Sequence, residues 1–108
     1  MYPMGYNTPM RVQMTEVYRE WINALNDRVA RARIQVRVDR LAHDNPGQYR
    51  NLTHGVSELK IDFGPGYRVY YTERGGELII LLAGGDKSSQ QQGIKAAIAL
   101  AENLLGAT

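Results

Sequence analysis

Apolar and polar positions divide the chain into segments of two periods, one near 3.6 residues and one of two. Met10 to Met14 reads as a short strand in which Met10, Val12 and Met14 alternate with Arg11 and Gln13. Thr15 is a good N-cap with Glu16 in the following turn, and Tyr18, Trp21, Ile22 and Leu25 then recur at helical spacing. Asp27 caps a second helix, where Ala30, Ile34, Val38 and Leu41 form the stripe and the arginines fall largely outside it. His43 to Gly55 breaks the pattern with Asn45, Pro46, Gly47 and Asn51, residues of turns and loops. Val56 to Phe63 and Tyr67 to Thr72 alternate as strands, while Leu78 to Ala83 is continuously apolar, as expected of a strand covered on both faces or placed centrally. Ser88 followed by Gln91 is a capping-box pattern, and Ile94, Ala97, Ile98, Ala101, Leu104 and Leu105 trace one face of a terminal helix.

This order predicts an α+β fold: an N-terminal helical hairpin packed on an antiparallel sheet of about four strands, with a C-terminal helix. Residues 1–9, with Pro3, Gly5, Asn7 and Pro9, read as a flexible lead-in, and residues 10–108 as a single domain. Short turns fix register, and register fixes faces. A loop of Gly64, Pro65 and Gly66 places Asp62 opposite Arg68, Lys60 opposite Tyr70 and Glu58 opposite Thr72. A loop of Gly75 and Gly76 places Arg74 opposite Glu77. One face then holds Leu59, Ile61, Phe63, Tyr67, Val69, Tyr71, Leu78, Ile80 and Leu82, and should take the helices. The other holds Glu58, Lys60, Asp62, Arg68, Tyr70, Thr72, Ile79, Leu81 and Ala83, with Lys87 on the same side if the strand continues past Gly84 and Gly85.

Composition narrows the classes. At 44% hydrophobic and 22% charged residues the chain is an ordinary globular domain. It has no cysteine, which excludes disulfides and cysteine metal sites. No apolar run reaches the ~18 residues of a spanning helix, and MYPMGYNTPM lacks the basic and apolar regions of a signal peptide, so the expected compartment is the cytoplasm with no membrane partner. The net charge is only +2, but ten of the thirteen cations are arginine, and Arg28, Arg31, Arg33, Arg37 and Arg40 crowd the second helix. Such a cluster is either a solvated helix surface or a contact surface.

The candidate chemistry lies on the polar sheet face, where cations surround an aromatic ring as a phosphate backbone and a stacked base would require. Cross-strand ion pairs such as Asp62 with Arg68 are the structural alternative for the same residues. The tripeptide Asp62, Phe63, Gly64 matches the kinase magnesium motif in letters alone, since no Gly-rich loop or catalytic loop accompanies it. His43 and His54 sit in or beside a loop and, without a carboxylate cluster, make a poor metal site. Gly84 and Gly85 lack the full phosphate-loop pattern and are expected to end a strand.

The stretch GVSELKIDFGPGYRVYYTERGGELIILLAGGDKSSQ, residues 55–90, resembles the "addiction module killer protein" branch of the RelE/ParE toxin superfamily, often described as HigB-like. TEVYREWINALNDRVARARIQVRVDRLAHDN also resembles it, with its Trp, its D-x-x-A-R-A-R-I element and its arginine-rich second helix. The resemblance spans roughly residues 12–105. It implies a RelE-like fold and a toxin of a type II toxin-antitoxin system, a metal-independent, ribosome-dependent messenger-RNA endoribonuclease that needs no cofactor. It also implies a cognate antitoxin of helix-turn-helix type, with messenger RNA and the ribosome as further partners.

The catalytic cations it implies are Lys60, Arg68 and Lys87. Lys60 would be the base, its neutral form favoured by the two nearby charges; Arg68 would grip the phosphate and Lys87 stabilise charge or the leaving group. Tyr70, Arg37 and Arg40 are expected at the RNA, and Asp62 as a support for Arg68. Glu58 departs from the pattern, standing where RelE-like enzymes commonly carry a second basic residue, and the tyrosine following the last cation has no counterpart in Ser88 to Gln92. Two other functions fit the same resemblance: a ParE-like toxin acting on DNA gyrase by protein contact, and an inactive RNA- or protein-binding member.

Overall fold

The computed structural model of the protein describes residues 8–106, and for Leu105 and Gly106 the backbone alone. The lead-in expected over residues 1–9 therefore falls almost wholly outside the described residues. In chain order the elements are β1 (Arg11–Met14), α1 (Glu16–Ala24), α2 (Arg28–Ala42), β2 (Tyr49–Asn51), β3 (Val56–Ile61), β4 (Tyr67–Arg74), β5 (Leu78–Asp86), a 3-10 turn (Lys87–Ser89) and α3 (Gln90–Gly106). The class is α+β, as the periodicity predicts. The sheet has five strands in the order β1-β5-β4-β3-β2, and it is mixed, because β1 runs parallel to β5. β2 lies in the segment expected to be a loop; its three exposed residues carry no alternation that would betray it.

Local chemistry starts the helices where the sequence predicts. Thr15 accepts a hydrogen bond from the Tyr18 N–H at 3.1 Å, and its own hydroxyl donates to the Leu82 carbonyl at 2.7 Å, so one residue both caps α1 and pins it to the sheet. The Asp27 carboxylate accepts from the Ala30 N–H at 3.1 Å. The α3 start is different. Asp86, not Ser88, is the N-cap of the 3-10 turn, accepting from the backbone N–H groups of Ser88 and Ser89, and Ser89 returns the capping box.

The sheet is covered on both faces. α1 and α2 pack Tyr18, Ala30, Ile34, Val38 and Leu41 against Leu59, Ile61, Tyr67, Val69, Tyr71, Ile79 and Leu81. α3 packs Ala97 and Ala101, flanked by Ile94 and Ile98, on Val56, Tyr70, Ile80, Leu82 and Ala83. Expectation placed every helix on one face and left the other polar. A continuously apolar β5 is instead the consequence of a third layer.

Register accounts for the remaining differences. Ile61 pairs with Tyr67, so the β3–β4 connection runs from Asp62 to Gly66, and Lys60 stands opposite Arg68 with Glu58 opposite Tyr70. That is a slip of two residues from the expected pairing, which preserves the faces of β3 and β4. The β4–β5 connection runs from Gly75 to Glu77, with Arg74 opposite Leu78. This slip is of one residue and turns Ile79 and Leu81 toward the hairpin helices, the reverse of expectation. A bulge follows: Tyr71 pairs with Leu81 but Tyr70 with Ala83, leaving Leu82 as the extra residue and restoring the original alternation beyond it. β5 does not end at Gly84 and Gly85; it continues to Asp86. A Cβ at Gly84 would lie 2.1 Å from the Trp21 ring, so the missing side chain is the seat of the indole. Among the described residues no helix is long and apolar enough to cross a membrane.

Candidate functional site

The three expected cations meet at one corner of the sheet. Lys60 and Arg68 are cross-strand neighbours on β3 and β4 and therefore share a face. Lys87 joins them through the turn: its N–H donates to the Gly66 carbonyl at 2.8 Å. A Cβ at Gly66 would lie 3.5 Å from both Arg68 Nη1 and Lys87 Cβ. Gly66 is thus the small corner around which the arginine and the second lysine are arranged. Lys60 is half-buried and Lys87 exposed, so both ammonium groups have access to solvent.

Arg68 is held more tightly, with 7% of its surface exposed. Its Nη1 donates to the carbonyls of Gly66 and Tyr67, each at 3.2 Å, while Nε is buried without a hydrogen-bond partner. The nearest carboxylate is Glu58, whose Oε2 lies 4.0 Å from Arg68 Nε. The support expected from Asp62 is absent, because the two-residue slip moves Asp62 into the loop, exposed, and puts Lys60 opposite Arg68 instead.

Glu58 is the residue that sequence reasoning undervalued. It is completely buried, yet each of its oxygens accepts a hydrogen bond: Arg50 Nε donates to Oε1 at 2.8 Å and Gln90 Nε2 to Oε2 at 2.9 Å. One carboxylate thereby ties β2, β3 and the first turn of α3 together beside Arg68. Its placement on the cation face by alternation was the only available signal. Arg50 gave none, because its strand was unrecognised, and Gln90 resembled an ordinary polar residue at a helix start.

Tyr70 lies under this network and is fully buried. A Cβ at Gly93 of α3 would come within 2.8 Å of the Tyr70 ring, and the hydroxyl donates to the Gln90 carbonyl at 3.4 Å. The expected stacking of a base on Tyr70 has no exposed ring face to use. Burial, and next the charge of Glu58, pushes its pKa up to about 12, so the phenol keeps its proton.

Arg37 and Arg40 are not in this corner. Arg37 crosses from α2 to the sheet edge, donating to the carbonyls of Lys60 at 2.7 Å, Pro46 at 2.8 Å and Gln48 at 2.9 Å. Burial, and then Arg40, lowers its pKa. The guanidinium is committed to backbone. Arg40 is exposed on the outer side of α2, in a groove shared with Asp62. His43 and His54 are separate: His43 Nδ1 bonds the Asp39 carbonyl at 2.8 Å, and His54 lies 3.7 Å from Glu102. Among the described residues no three His, Asp or Glu side chains group as a metal site would need.

The corner brings a fixed guanidinium together with two lysines, a set of donors whose charge and geometry suit an anionic oxygen group. The fold defines a small α+β protein with a helical hairpin on one face of a mixed sheet and a basic corner beside the helix on the other. Within that class, residues 20–106 match the family described as Phage derived protein Gp49-like (DUF891), and the chain belongs to it. It is also similar to an uncharacterized protein of Haemophilus influenzae, 41% identical over 95 residues that cover 88% of this chain and 96% of the relative.

Proposed function

We propose that the protein is the toxin of a type II toxin-antitoxin system, of the RelE-like and HigB-like kind, and that it cleaves messenger RNA on the ribosome. The observation that carries this reading is the grouping of Lys60, the cross-strand neighbour of Arg68, with Arg68 and Lys87, which meet at Gly66. Membership of a phage-derived family supports it, as does the resemblance of the GPGYRVY and GGDK segments to RelE-like toxins. A cognate antitoxin, of helix-turn-helix type and encoded beside the toxin, belongs to the same proposal.

In this mechanism Lys60 accepts the proton of a ribose 2′-hydroxyl. The freed oxygen attacks the adjacent phosphorus, and the bond from phosphorus to the 5′-oxygen breaks, leaving a 2′,3′-cyclic phosphate. Arg68 carries the charge that builds on the phosphoryl oxygens, and Lys87 stabilises or protonates the departing 5′-oxygen. Glu58 holds Arg68 and the start of α3 in place and takes no proton from substrate.

Lys60→Ala and Lys87→Ala, at side chains that reach solvent, should fold normally and lose at least about a hundredfold in cleavage of a translated message. Induction of the wild type should stop incorporation of labelled amino acids before that of labelled thymidine. A Lys60→Ala protein that still cleaved would overturn the catalytic assignment, and replication stopping before translation would point to gyrase.

A further inference from the structure

α2 carries two apolar stripes. Ala30, Ile34, Val38 and Leu41 face the core, whereas Val29, Ala32 and Val36 face outward on the other side of the helix. Val29 is 55% exposed and Val36 46% exposed, unusual for valines within one 15-residue helix. With Ile61 at the end of β3 and Phe63 in the connection that follows it, they form the floor of a groove of about 690 Å³. From Arg28 to Arg40 the groove follows α2 for about 18 Å, at 1.5 Å per residue.

Its rim is charged in one sense. Arg28, Arg33, Arg37 and Arg40 line it against the single acid Asp62. We propose that this α2–β3 groove is the docking site for an acidic, amphipathic helix of a partner protein, whose apolar residues at i, i+3 and i+7 cover Val29, Ala32 and Val36 while its carboxylates meet Arg28, Arg33 and Arg40. An RNA strand would satisfy the arginines but would leave the valine floor bare. Nor is Phe63 free to stack a base on both faces, since the Arg33 guanidinium covers one of them at 4.5 Å from the ring centre. A second copy of this chain is a poor occupant, because a two-fold contact would set arginine rim against arginine rim. The groove is separate from the Lys60–Arg68–Lys87 corner, so the proposal stands or falls independently of the cleavage reaction.

The test is selection from a displayed library of peptides of about 15 residues on the wild-type protein, with the Val29→Glu/Val36→Glu double variant as counter-target. Both valines are half-exposed, and circular dichroism will verify that the variant is folded. Selected peptides should be acidic with apolar residues at helical spacing, and the synthetic peptides should bind the double variant at least about tenfold more weakly. Arg28→Glu should weaken them as well, and added salt should reduce affinity. Selection of peptides without that pattern, or equal binding to the double variant, would overturn the proposal. So would either of two reassignments: a single-stranded RNA oligonucleotide that loses affinity on Val29→Glu/Val36→Glu, or a dimer of the wild type that the same variant dissociates.

Discussion

A buried carboxylate with three cationic or amide neighbours is expensive to form and costly to break. Removing Glu58 leaves Arg68, itself 7% exposed, without a counter-charge and frees Gln90 from the sheet. Glu58→Ala should lower stability by about 3 kcal/mol in chemical denaturation. Glu58→Gln keeps the shape and one acceptor oxygen and should lose less; equal losses would mean that the charge contributes nothing beyond packing. A second residue-scale constraint is steric. Any side chain at Gly84 must displace Trp21, whose ring carbons occupy the space 2.1–2.4 Å from the Cβ position. Gly84→Ala should therefore cost about 1–3 kcal/mol and change the Trp21 fluorescence, the chain's one tryptophan.

Elements were legible where their signals are local. Thr15 and Asp27 start their helices as the sequence predicts because a cap depends on a few consecutive residues. Faces of β3 and β4 were legible for a different reason: the error in loop length was even. At β5 it was odd, and a single residue, Glu77 counted with the turn, exchanged the environments of Ile79 and Ile80. β2 stayed hidden because its pairing partner β3, rather than its own composition, makes it a strand. The same distinction explains the site. Lys60, Arg68 and Lys87 were visible through alternation, while the contacts of Glu58 with Arg50 and Gln90 join three separate elements and have no local pattern. At the α3 start, Asp86 displaced the expected Ser88 because its carboxylate reaches two backbone N–H groups at once. The Ser88 hydroxyl, and after it the backbone N–H groups of Ser89 and Ser88 and the Ser89 hydroxyl, hold the Asp86 carboxyl below its ordinary value of 3.8 against an opposing desolvation. Stabilisation from a depressed carboxyl is present above the unfolded value and disappears as pH falls through the folded one. Asp86→Ala should cost about 1 kcal/mol at neutral pH, and the difference from wild type should vanish in acid.

On the scale of the whole molecule, both cores are closed by tyrosines. Burial pushes Tyr18, Tyr70 and Tyr71 up to about 12. A phenol whose folded value exceeds its unfolded value of 10.0 adds stability that is complete below the unfolded value and is lost as pH rises through the folded one. Three phenols should thus resist ionisation past pH 10 in an ultraviolet titration and ionise together with unfolding near pH 12; independent ionisation at 10 with the fold intact would contradict their burial. Another consequence concerns time. β1 is made early, but its hydrogen-bonding partner β5 lies 67 residues further on, from Arg11 paired with Leu78. Until then β1 has no neighbour and β4 lacks one edge, so a fragment ending at Glu77 should show no cooperative unfolding transition. Lys87 and Gln90 are translated later still. The basic corner is therefore assembled after the rest of the sheet has been made, and on the function proposed above the order of synthesis keeps the chain inactive until residues beyond Gln90 have left the exit tunnel.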